Sequence, residues 1–415
     1  VPLAPLLLAL TLVGATTTAA AEAPPIGWRH DGTGQYPSSV APPAWSLPSG
    51  DHVRWRTPLP EWANSSPIVV GKRVFVTTEP STLFALSTAD GRILWQDAVT
   101  LTEALPRDQA ASAKALVAKG EAAEATLREV QREHRGLSRK LRKPVAAADR
   151  DALHARLATL EQEQSTLRAT IDRAERYWTR PRNDTIGYAA ATPVSDGASV
   201  FAVYGTGVVT AHTVTGKRRW LRWLGEPHRP MRGNANGHAA SPLLVDGQLI
   251  VAMGSLQALD PDTGETRWRA GIYADFGSPA AVVVQGTPAV ATPRGTVHRA
   301  SDGELLADVG ANTLYVGPVA DAERVYWVGS TVAADATVGG NYETWAMAVT
   351  TESLDAGGRA VGPRWRVSLG PKAVYGTPAI RGGLLYVVDR GGVLTILDGR
   401  TGQETGRYDL ATGMV

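Results

Sequence analysis

The chain has 415 residues, with 43 Gly, 27 Pro and 12 Trp but no Cys. Its hydrophobic fraction of 43% allows a large buried core and excludes a chain that is disordered throughout. The net charge of +2 gives no electrostatic case for nucleic-acid binding, and the absence of Cys excludes disulfides, Cys-ligated zinc and cysteine nucleophiles.

The first recognisable segment is an apolar run of 11 residues, Leu3–Val13, followed by small residues and then Glu22. A run of this length that ends at Ala19-Ala20-Ala21 predicts a signal peptide over residues 1–21; the alternative is an ordinary core segment. The run is shorter than the ~20 residues of a membrane-spanning helix. We therefore expect an exported protein, periplasmic or secreted, with no transmembrane segment and, without Cys, no lipid anchor.

One pattern then recurs: a β-rich run, a polar turn with Thr-Gly or Asp-Gly, and a second run that usually ends in an aromatic residue. It occurs at Leu83–Trp95, Val208–Trp220, Leu256–Trp268, Thr296–Leu306 and Leu394–Tyr408. Each copy predicts a hairpin whose turn takes Gly for its positive φ. A two-residue phrase of Ser, Thr or Gly followed by Pro, such as Ser241-Pro242, precedes each copy.

The spacing of these copies favours one architecture. Three successive turn glycines, Gly216, Gly264 and Gly303, recur at intervals of about 40 to 50 residues, the period of four-stranded β-propeller blades. A β-sandwich would show short strands without this longer period. We count six blades and expect an all-β propeller.

An insert at residues 101–180 differs in kind, because it contains only two Gly and has 16 Lys and Arg against 12 Asp and Glu. Apolar residues step by four and three along two arms, Ala123–Leu141 and Leu153–Trp178, on either side of Lys143-Pro144. Pro cannot continue a helix, so the pattern predicts an antiparallel coiled-coil hairpin of two helices. The hairpin either contacts a partner or is self-contained. Its charge of +4 is too mixed to indicate nucleic acid.

The motif Ala258–Trp268, with the form AxDxxTGxxxW, resembles the repeat of exported bacterial pyrroloquinoline-quinone (PQQ)-like β-propellers. The resemblance covers about residues 28–408 apart from the insert, within an expected propeller domain of residues 28–415. It implies that the terminal Trp of each repeat docks on the neighbouring blade, a position matched by Trp95, Trp220, Trp268 and Trp365. Such propellers usually have seven or eight blades. Either residues 28–57 close a six-bladed ring or the sequence is truncated at its C-terminus, which we favour.

The resemblance also implies where chemistry would occur. Quinoprotein dehydrogenases of this kind hold PQQ on the propeller axis with Ca²⁺ bound by carboxylate and amide oxygens, and no segment here matches that set. Asp260 and Asp262 resemble a metal pair but lie in a repeat turn, where Asp side chains cap the backbone. We therefore expect no PQQ, no other cofactor, no metal and no catalytic residue.

One loop, His228–His238, is a candidate ligand site. Its residues Arg232, Asn234, Asn236 and His238 could bind an anionic or sugar-like ligand, and the alternative is an ordinary polar loop. Three aromatic residues that precede Ser/Thr-Pro phrases could line the axis or simply pack within the fold: Trp62, Tyr188 and Tyr375.

These observations favour an exported, non-catalytic scaffold that binds an unknown protein or a carbohydrate-like ligand, with the hairpin as a further contact. The alternatives are a PQQ-dependent oxidoreductase and an outer-membrane protein assembly scaffold.

Overall fold

The computed structural model describes residues 25–34, 44–175, 177–178, 186–225, 238–273, 276–313, 315–332 and 342–410. The predicted signal peptide and the loop residues Arg232, Asn234 and Asn236 lie outside these ranges. The described residues form six small sheets, which are the blades, and one helical hairpin.

Blades one and two are four-stranded antiparallel sheets in which each strand pairs with the next along the chain. Blade one consists of β1 (Ile68–Val70), β2 (Arg73–Thr78), β3 (Thr82–Ser87) and β4 (Ile93–Ala98). Blade two consists of β5 (Val194–Ser195), β6 (Ser199–Val203), β7 (Val208–Thr213) and β8 (Arg218–Trp223).

Blade three departs from the predicted four strands. It consists of β9 (Leu243–Val245), β10 (Gln248–Leu259) and β11 (Thr266–Tyr273). The strand β9 pairs with the first residues of β10, whereas β11 pairs with β10 from Gly254 onward. Gly254 has a φ of 68°. The long strand β10 thus takes the place of the second and third strands of the other blades.

Blade four gains a fifth strand from its neighbour. Its own strands are β12 (Ala280–Val284), β13 (Thr287–Ala291), β14 (Thr296–Arg299) and β15 (Leu305–Asp308). Blade five consists of β16 (Val319–Ala320), β17 (Arg324–Val332), β18 (Tyr342–Thr350) and β20 (Trp365–Gly370). Between β18 and β20, a 3-10 turn (Thr351–Leu354) leads to β19 (Arg359–Ala360), which pairs in parallel with β15.

Blade six repeats the four-stranded pattern. It consists of β21 (Ala379–Arg381), β22 (Leu384–Val388), β23 (Val393–Asp398) and β24 (Glu404–Asp409). The expected PQQ-like propeller architecture is confirmed, with irregular sheets only in blades three and four.

The core is divided among the blade junctions, because each of five buried clusters lies between two consecutive blades. The strand β6 shows how the sequence produces this. Its side chains alternate between sheet faces, so that Val200 and Ala202 pack towards blade one while Phe201 and Val203 pack towards blade three. Both faces are buried, and β6 is therefore apolar along nearly its whole length.

The predicted helical hairpin is confirmed and consists of α1 (Leu101–Ala104), α2 (Arg107–Leu141) and α3 (Ala147–Glu175). The two long helices pack against each other, and the seam residues Ala123, Val130, Leu160 and Ala174 are buried between them. Leu101, Leu105 and Ala113 join the core of blades one and two, so that junction anchors the hairpin. None of the described helices combines the length and apolar character needed to cross a membrane.

Candidate functional site

The repeat tryptophans lie at the blade junctions. The Trp220 ring of blade two covers Gly264 of blade three, and its Nε1–H donates to Pro261 O at 2.9 Å. Trp95 packs in the same way on Gly216, with its Nε1–H donating to Val214 O at 3.2 Å. A side chain at either glycine would enter the indole ring, so the turn needs Gly for space as well as for its positive φ.

Two further junctions have the same geometry. Trp268 covers Gly303 and its Nε1–H donates to Ala300 O at 2.9 Å, while Trp365 covers Gly402 and its Nε1–H donates to Gly399 O at 3.0 Å. Tyr408, which ends the last repeat, is 57% exposed and covers no turn of a further blade within the described residues.

Sequence reasoning missed a fifth tryptophan of this kind. The ring of Trp55 covers Gly91 of blade one, and its Nε1–H donates to Thr88 O at 3.0 Å. Thr57 Oγ1 adds a bond to Gly91 O at 2.6 Å. No strand pattern precedes Trp55, but its distance from Ser66-Pro67 resembles that of Trp268 from Ser278-Pro279. This spacing is the sequence signal that could have identified Trp55 as a docking residue.

Blades four and five are joined differently, because Ala307, four residues after the turn glycine Gly303, stands where the other repeats have Trp. The N–H groups of Ala356 and Gly358 donate to Leu306 O at 3.1 and 2.9 Å, and Val361 N–H donates to Asp308 O at 2.8 Å. Leu354 is fully buried in the same core. Strand addition thus takes the place of docking on a turn glycine at this junction, where the buried Trp327 of blade five also donates its Nε1–H to Thr292 O of blade four at 2.8 Å.

A chain of side-chain hydroxyls links the blades near the axis, at the phrases where the innermost strands begin. Ser66 N–H donates to Thr192 Oγ1 at 3.1 Å, and Thr192 N–H donates to Ser241 Oγ at 3.0 Å. Ser241 N–H continues the chain to Ser278 Oγ at 3.0 Å. Gly317 follows in blade five, where a Cβ would clash with the backbone of Ser278.

A cavity of about 260 Å³ lies at this level and is lined by residues that precede the first strand of every blade. Its polar lining is uncharged and consists of Asn64, Ser66, Thr192, Ser241, Ser278 and Thr377. Its aromatic lining consists of Trp28, Phe276, Tyr315 and Tyr375. We call this site the axial cavity.

Three of the aromatic residues form one cluster. The Phe276 and Tyr315 rings are stacked with centroids 5.3 Å apart, and Tyr375 meets Tyr315 edge-on at 5.2 Å. Burial raises the pKa of both tyrosines, so they keep their hydroxyl protons at neutral pH. Tyr375 therefore lies where the sequence suggested, whereas Trp62 and Tyr188 are not among the lining residues.

The short segment 25–34 crosses the axis and closes one side of the cavity. Ile26 exchanges two backbone hydrogen bonds of 2.8 Å with Ser195 of blade two. Three residues further on, the Arg29 guanidinium donates to Pro378 O of blade six at 2.6 Å. Trp28 lies between these contacts and also lines a second cavity of about 160 Å³. We call this segment the strap.

Of the predicted ligand loop, only His238 lies within the described residues. It is 8% exposed, and no described residue offers a hydrogen-bond partner to its Nε2. Burial lowers its pKa to about 4, so His238 is neutral at pH 7. The next residue, Ala239, lines the axial cavity, which places this end of the loop at the cavity.

Two other predicted polar groups have structural roles. Asp260 caps its own turn by accepting from the N–H groups of Asp262 and Thr263 at 2.8 and 2.9 Å, and its other oxygen accepts from Arg267 at 2.6 Å. The pKa of Asp260 is lowered to about 2, mainly by Arg267. The carboxylate of Asp260 thus caps the turn, whereas the carboxylate of Asp262 accepts from Arg219 at 2.7 Å.

A charged cluster joins blades one and two beside the hairpin. Arg218 donates to both carboxylate oxygens of Asp97 at 2.7 Å, and His212 Nε2 lies 2.7 Å from one of them. Burial alone would raise the pKa of Asp97, but the bonds from Arg218 and His212 outweigh burial and lower it. Arg218 also reaches Glu103 of α1 at 3.4 Å, which ties the hairpin base to the propeller.

Comparison with known proteins identifies the family. A family model described as outer membrane protein assembly factor BamB matches residues 44–251 and 252–413. The chain belongs to this family of PQQ-like repeat proteins. A search of proteins with curated function gives no match.

Three solved structures that match the chain share little sequence with it. The structure of BamB from Moraxella catarrhalis is 14% identical, and the match covers 86% of this chain and 66% of that chain with a TM-score of 0.34. A quinohemoprotein alcohol dehydrogenase from Pseudomonas putida HK5 is also 14% identical, with 86% and 43% covered and a TM-score of 0.35. The corresponding enzyme from Comamonas testosteroni is 12% identical, with 86% and 68% covered and a TM-score of 0.36. The match thus spans less than two thirds of the length of the first two of these chains.

The described lining of the axial cavity does not fit PQQ. The cofactor carries three carboxylates, which need cationic partners, yet no described lining residue is charged. The described residues also contain no group of three or more His, Asp or Glu arranged to hold a metal ion. We therefore derive no chemistry through this cofactor.

Proposed function

We propose that this protein is an exported, non-catalytic scaffold that binds a protein partner at the axial cavity. The observation that carries the proposal is the aromatic cluster beside neutral hydroxyl groups, in which Tyr315 and Tyr375 are 37% and 38% exposed. Tyrosine offers a large rigid surface with a polar tip and is enriched among the residues that dominate interface energies. The description of the family as an assembly factor supports a protein partner. The more specific version of the proposal is a scaffold for the assembly of outer-membrane proteins.

The chemistry of the cavity supports binding rather than catalysis. General acid–base catalysis needs a titratable group within reach of the substrate, and the described lining offers only hydroxyl and amide groups and high-pKa tyrosines. The same lining would suit a carbohydrate-like ligand, because stacked aromatic rings and hydroxyls match the faces and edges of a sugar. That ligand is the second candidate.

Site-specific photo-crosslinking in cells tests the proposal. A photoreactive residue in place of Tyr375 should give one discrete protein adduct, and Tyr315→Ala in the same chain should weaken it by about 30-fold, as for a residue that dominates an interface. Arg400, exposed on an outer turn of the same blade, is the matched position and should give no such adduct. Equal adducts from both positions would contradict the proposal, and displacement by oligosaccharides would favour the second candidate.

Two further measurements address catalysis and export. Purified protein given PQQ and Ca²⁺ should not reduce a dye with alcohol substrates, and cofactor-dependent turnover would overturn the non-catalytic assignment. N-terminal sequencing of the mature protein should begin at Glu22, and an unprocessed protein in the cytoplasm would refute export.

A further inference from the structure

The far end of the helical hairpin carries a concentrated positive charge. Residues 134–148 contain five Lys and Arg and no Asp or Glu. All five are exposed: Arg135, Arg139, Lys140, Arg142 and Lys143. We call this segment the tip.

The rest of the hairpin balances its charges. Arg156 of α3 pairs with Glu133 of α2 at 2.8 Å, and Arg128 pairs with Glu124 at 3.3 Å. None of the five tip cations forms an ion pair with a described residue, and the one tip guanidinium bond runs from Arg139 to Arg135 O at 3.2 Å. The C-terminal dipole of α2 favours cations in its last turn. It does not account for Arg142 and Lys143, which lie beyond the helix end.

Apolar surface also reaches the tip. The seam between the two helices ends at Leu141 and Val145, which are half-buried and lie among the exposed cations. A surface that offers apolar groups within a ring of cations matches the interfacial region of a membrane with anionic headgroups. The phosphate backbone of a nucleic acid would use the cations but offers nothing for the apolar groups.

The position of the tip allows such a contact. Ala113 is the last residue of α2 in the core of blades one and two, and from there to Leu141 the helix extends about 42 Å. The tip therefore projects well beyond the junction that anchors the hairpin, as a narrow convex end on which several cations can face one plane.

We propose that the tip of the helical hairpin binds membrane surfaces that carry anionic lipid headgroups. This inference is independent of the axial cavity, because the hairpin base and the cavity lining share no residue. Together the two surfaces would hold a bound partner at a fixed distance from a membrane.

Vesicle co-sedimentation of the full chain tests the proposal. Vesicles of phosphatidylcholine with about 30% phosphatidylglycerol should bind the protein, and vesicles of phosphatidylcholine alone should not, since each Lys or Arg at an anionic surface contributes about fivefold. Changing Arg139, Lys140, Arg142 and Lys143 to Gln should weaken binding by more than about 100-fold. Raising NaCl from about 0.05 to 0.5 M should release the protein, because salt screens exposed charges.

A matched variant separates the tip from net charge. Arg54, Arg364, Arg381 and Arg400 are exposed on the propeller, and their change to Gln removes the same four charges and should leave binding intact. Equal loss in both variants, binding to neutral vesicles, or tighter binding of duplex RNA through the same four tip residues would overturn the proposal. The circular dichroism spectrum of the tip variant should match that of the parent chain, because the substituted side chains are exposed. A loss of helix in that variant would show that these residues hold the helix ends and would contradict the assignment of a binding role.

Discussion

Neighbouring blades of this protein are joined in two different ways. At four junctions a tryptophan from one blade covers a turn glycine of the next and donates its Nε1–H to a backbone carbonyl, as Trp268 does on Gly303. Between blades four and five, Ala307 takes the place of Trp, and the short strand β19 pairs with β15 while Leu354 fills the core. The first mechanism places an indole of one blade on a turn glycine of the next. The second uses backbone hydrogen bonds from an inserted segment, beside Trp327 of blade five, which bonds to Thr292 O of blade four.

The difference shows how a repeat can lose its signature residue and keep its junction. An indole buries a large area in one step and needs a glycine opposite. The outer strands β4, β8, β11 and β20 are the last strands of their sheets, whereas β15 has a further strand beside it, and proteins tend to cover such edges. The strand β19 provides that cover. The two junctions should therefore respond differently to side-chain and to backbone changes.

The largest effect is expected from Trp268→Ala. Removing this buried indole should lower the free energy of unfolding by about 4 kcal/mol, since large-to-small changes in a core lose transfer energy and leave a cavity. Chemical denaturation measures the change. Trp45, which is 64% exposed, is the control, and Trp45→Ala should have an effect below about 0.5 kcal/mol. Similar small losses in both variants would show that indole docking is not what holds the blades.

A pair of glycine substitutions compares the junctions directly. Gly264 and Gly357 have φ values of 73° and 59°, but a Cβ at Gly264 would meet the Trp220 ring, whereas one at Gly357 has open space. Both alanine variants should suffer the left-handed backbone cost, and Gly264→Ala should lose about 2 kcal/mol more through overpacking. Equal destabilisation of the two variants, measured by the same denaturation, would mean that the Trp220 ring moves aside without loss of stability.

A backbone change should act on the other junction. Val361→Pro removes the N–H that donates to Asp308 O and should cost about 1 kcal/mol, while Val361→Ala keeps this bond and serves as the control. Amide hydrogen exchange should become faster in β15 and remain unchanged in β8, which lies at an indole junction. Unchanged protection of β15 would show that β19 adds no stability there.

The smallest effect concerns pH at the first junction, where His212 lies beside Trp95 and Asp97. Burial lowers the pKa of His212 despite the hydrogen bond to Asp97. His212 therefore binds a proton more readily in the unfolded chain than in the folded one. Its contribution to the free energy of unfolding is present above about pH 6.5 and should decline as the pH falls towards the pKa of the folded state. His212→Gln should make the dependence of the unfolding free energy on pH shallower. An unchanged slope would contradict this assignment.

Much of the fold could be predicted because the repeat is local. The turn glycines and terminal tryptophans predicted the positions of the hairpins, and the break at Pro144 indicated the two long helices. The strand β19 could not be predicted, because two residues carry no period and the pairing with β15 is formed only in the tertiary structure. The long β10 of blade three likewise had no distinct signal, since its sequence matches that of two strands.

The axial cavity was predicted only in part. Its lining follows a rule visible in the sequence, namely that the residue two places before each Ser/Thr/Gly-Pro phrase faces the axis, as Phe276, Tyr315 and Tyr375 do. Alternate side chains of an extended segment share a face, which explains this offset. Trp62 and Tyr188 stand four places before their phrases and are not among the lining residues, so of the two interpretations packing within the fold is left for them. Residues Arg232, Asn234 and Asn236 stay a prediction.

The strap has a consequence for the order of folding. Its Arg29 bonds to Pro378, and a contact across so much of the chain cannot form until blade six has been synthesised. Each blade can pack on its predecessor as it emerges, because those contacts link neighbouring parts of the chain. The strap, though made before the blades, therefore completes its docking last, and its arrival physically connects blade two with blade six.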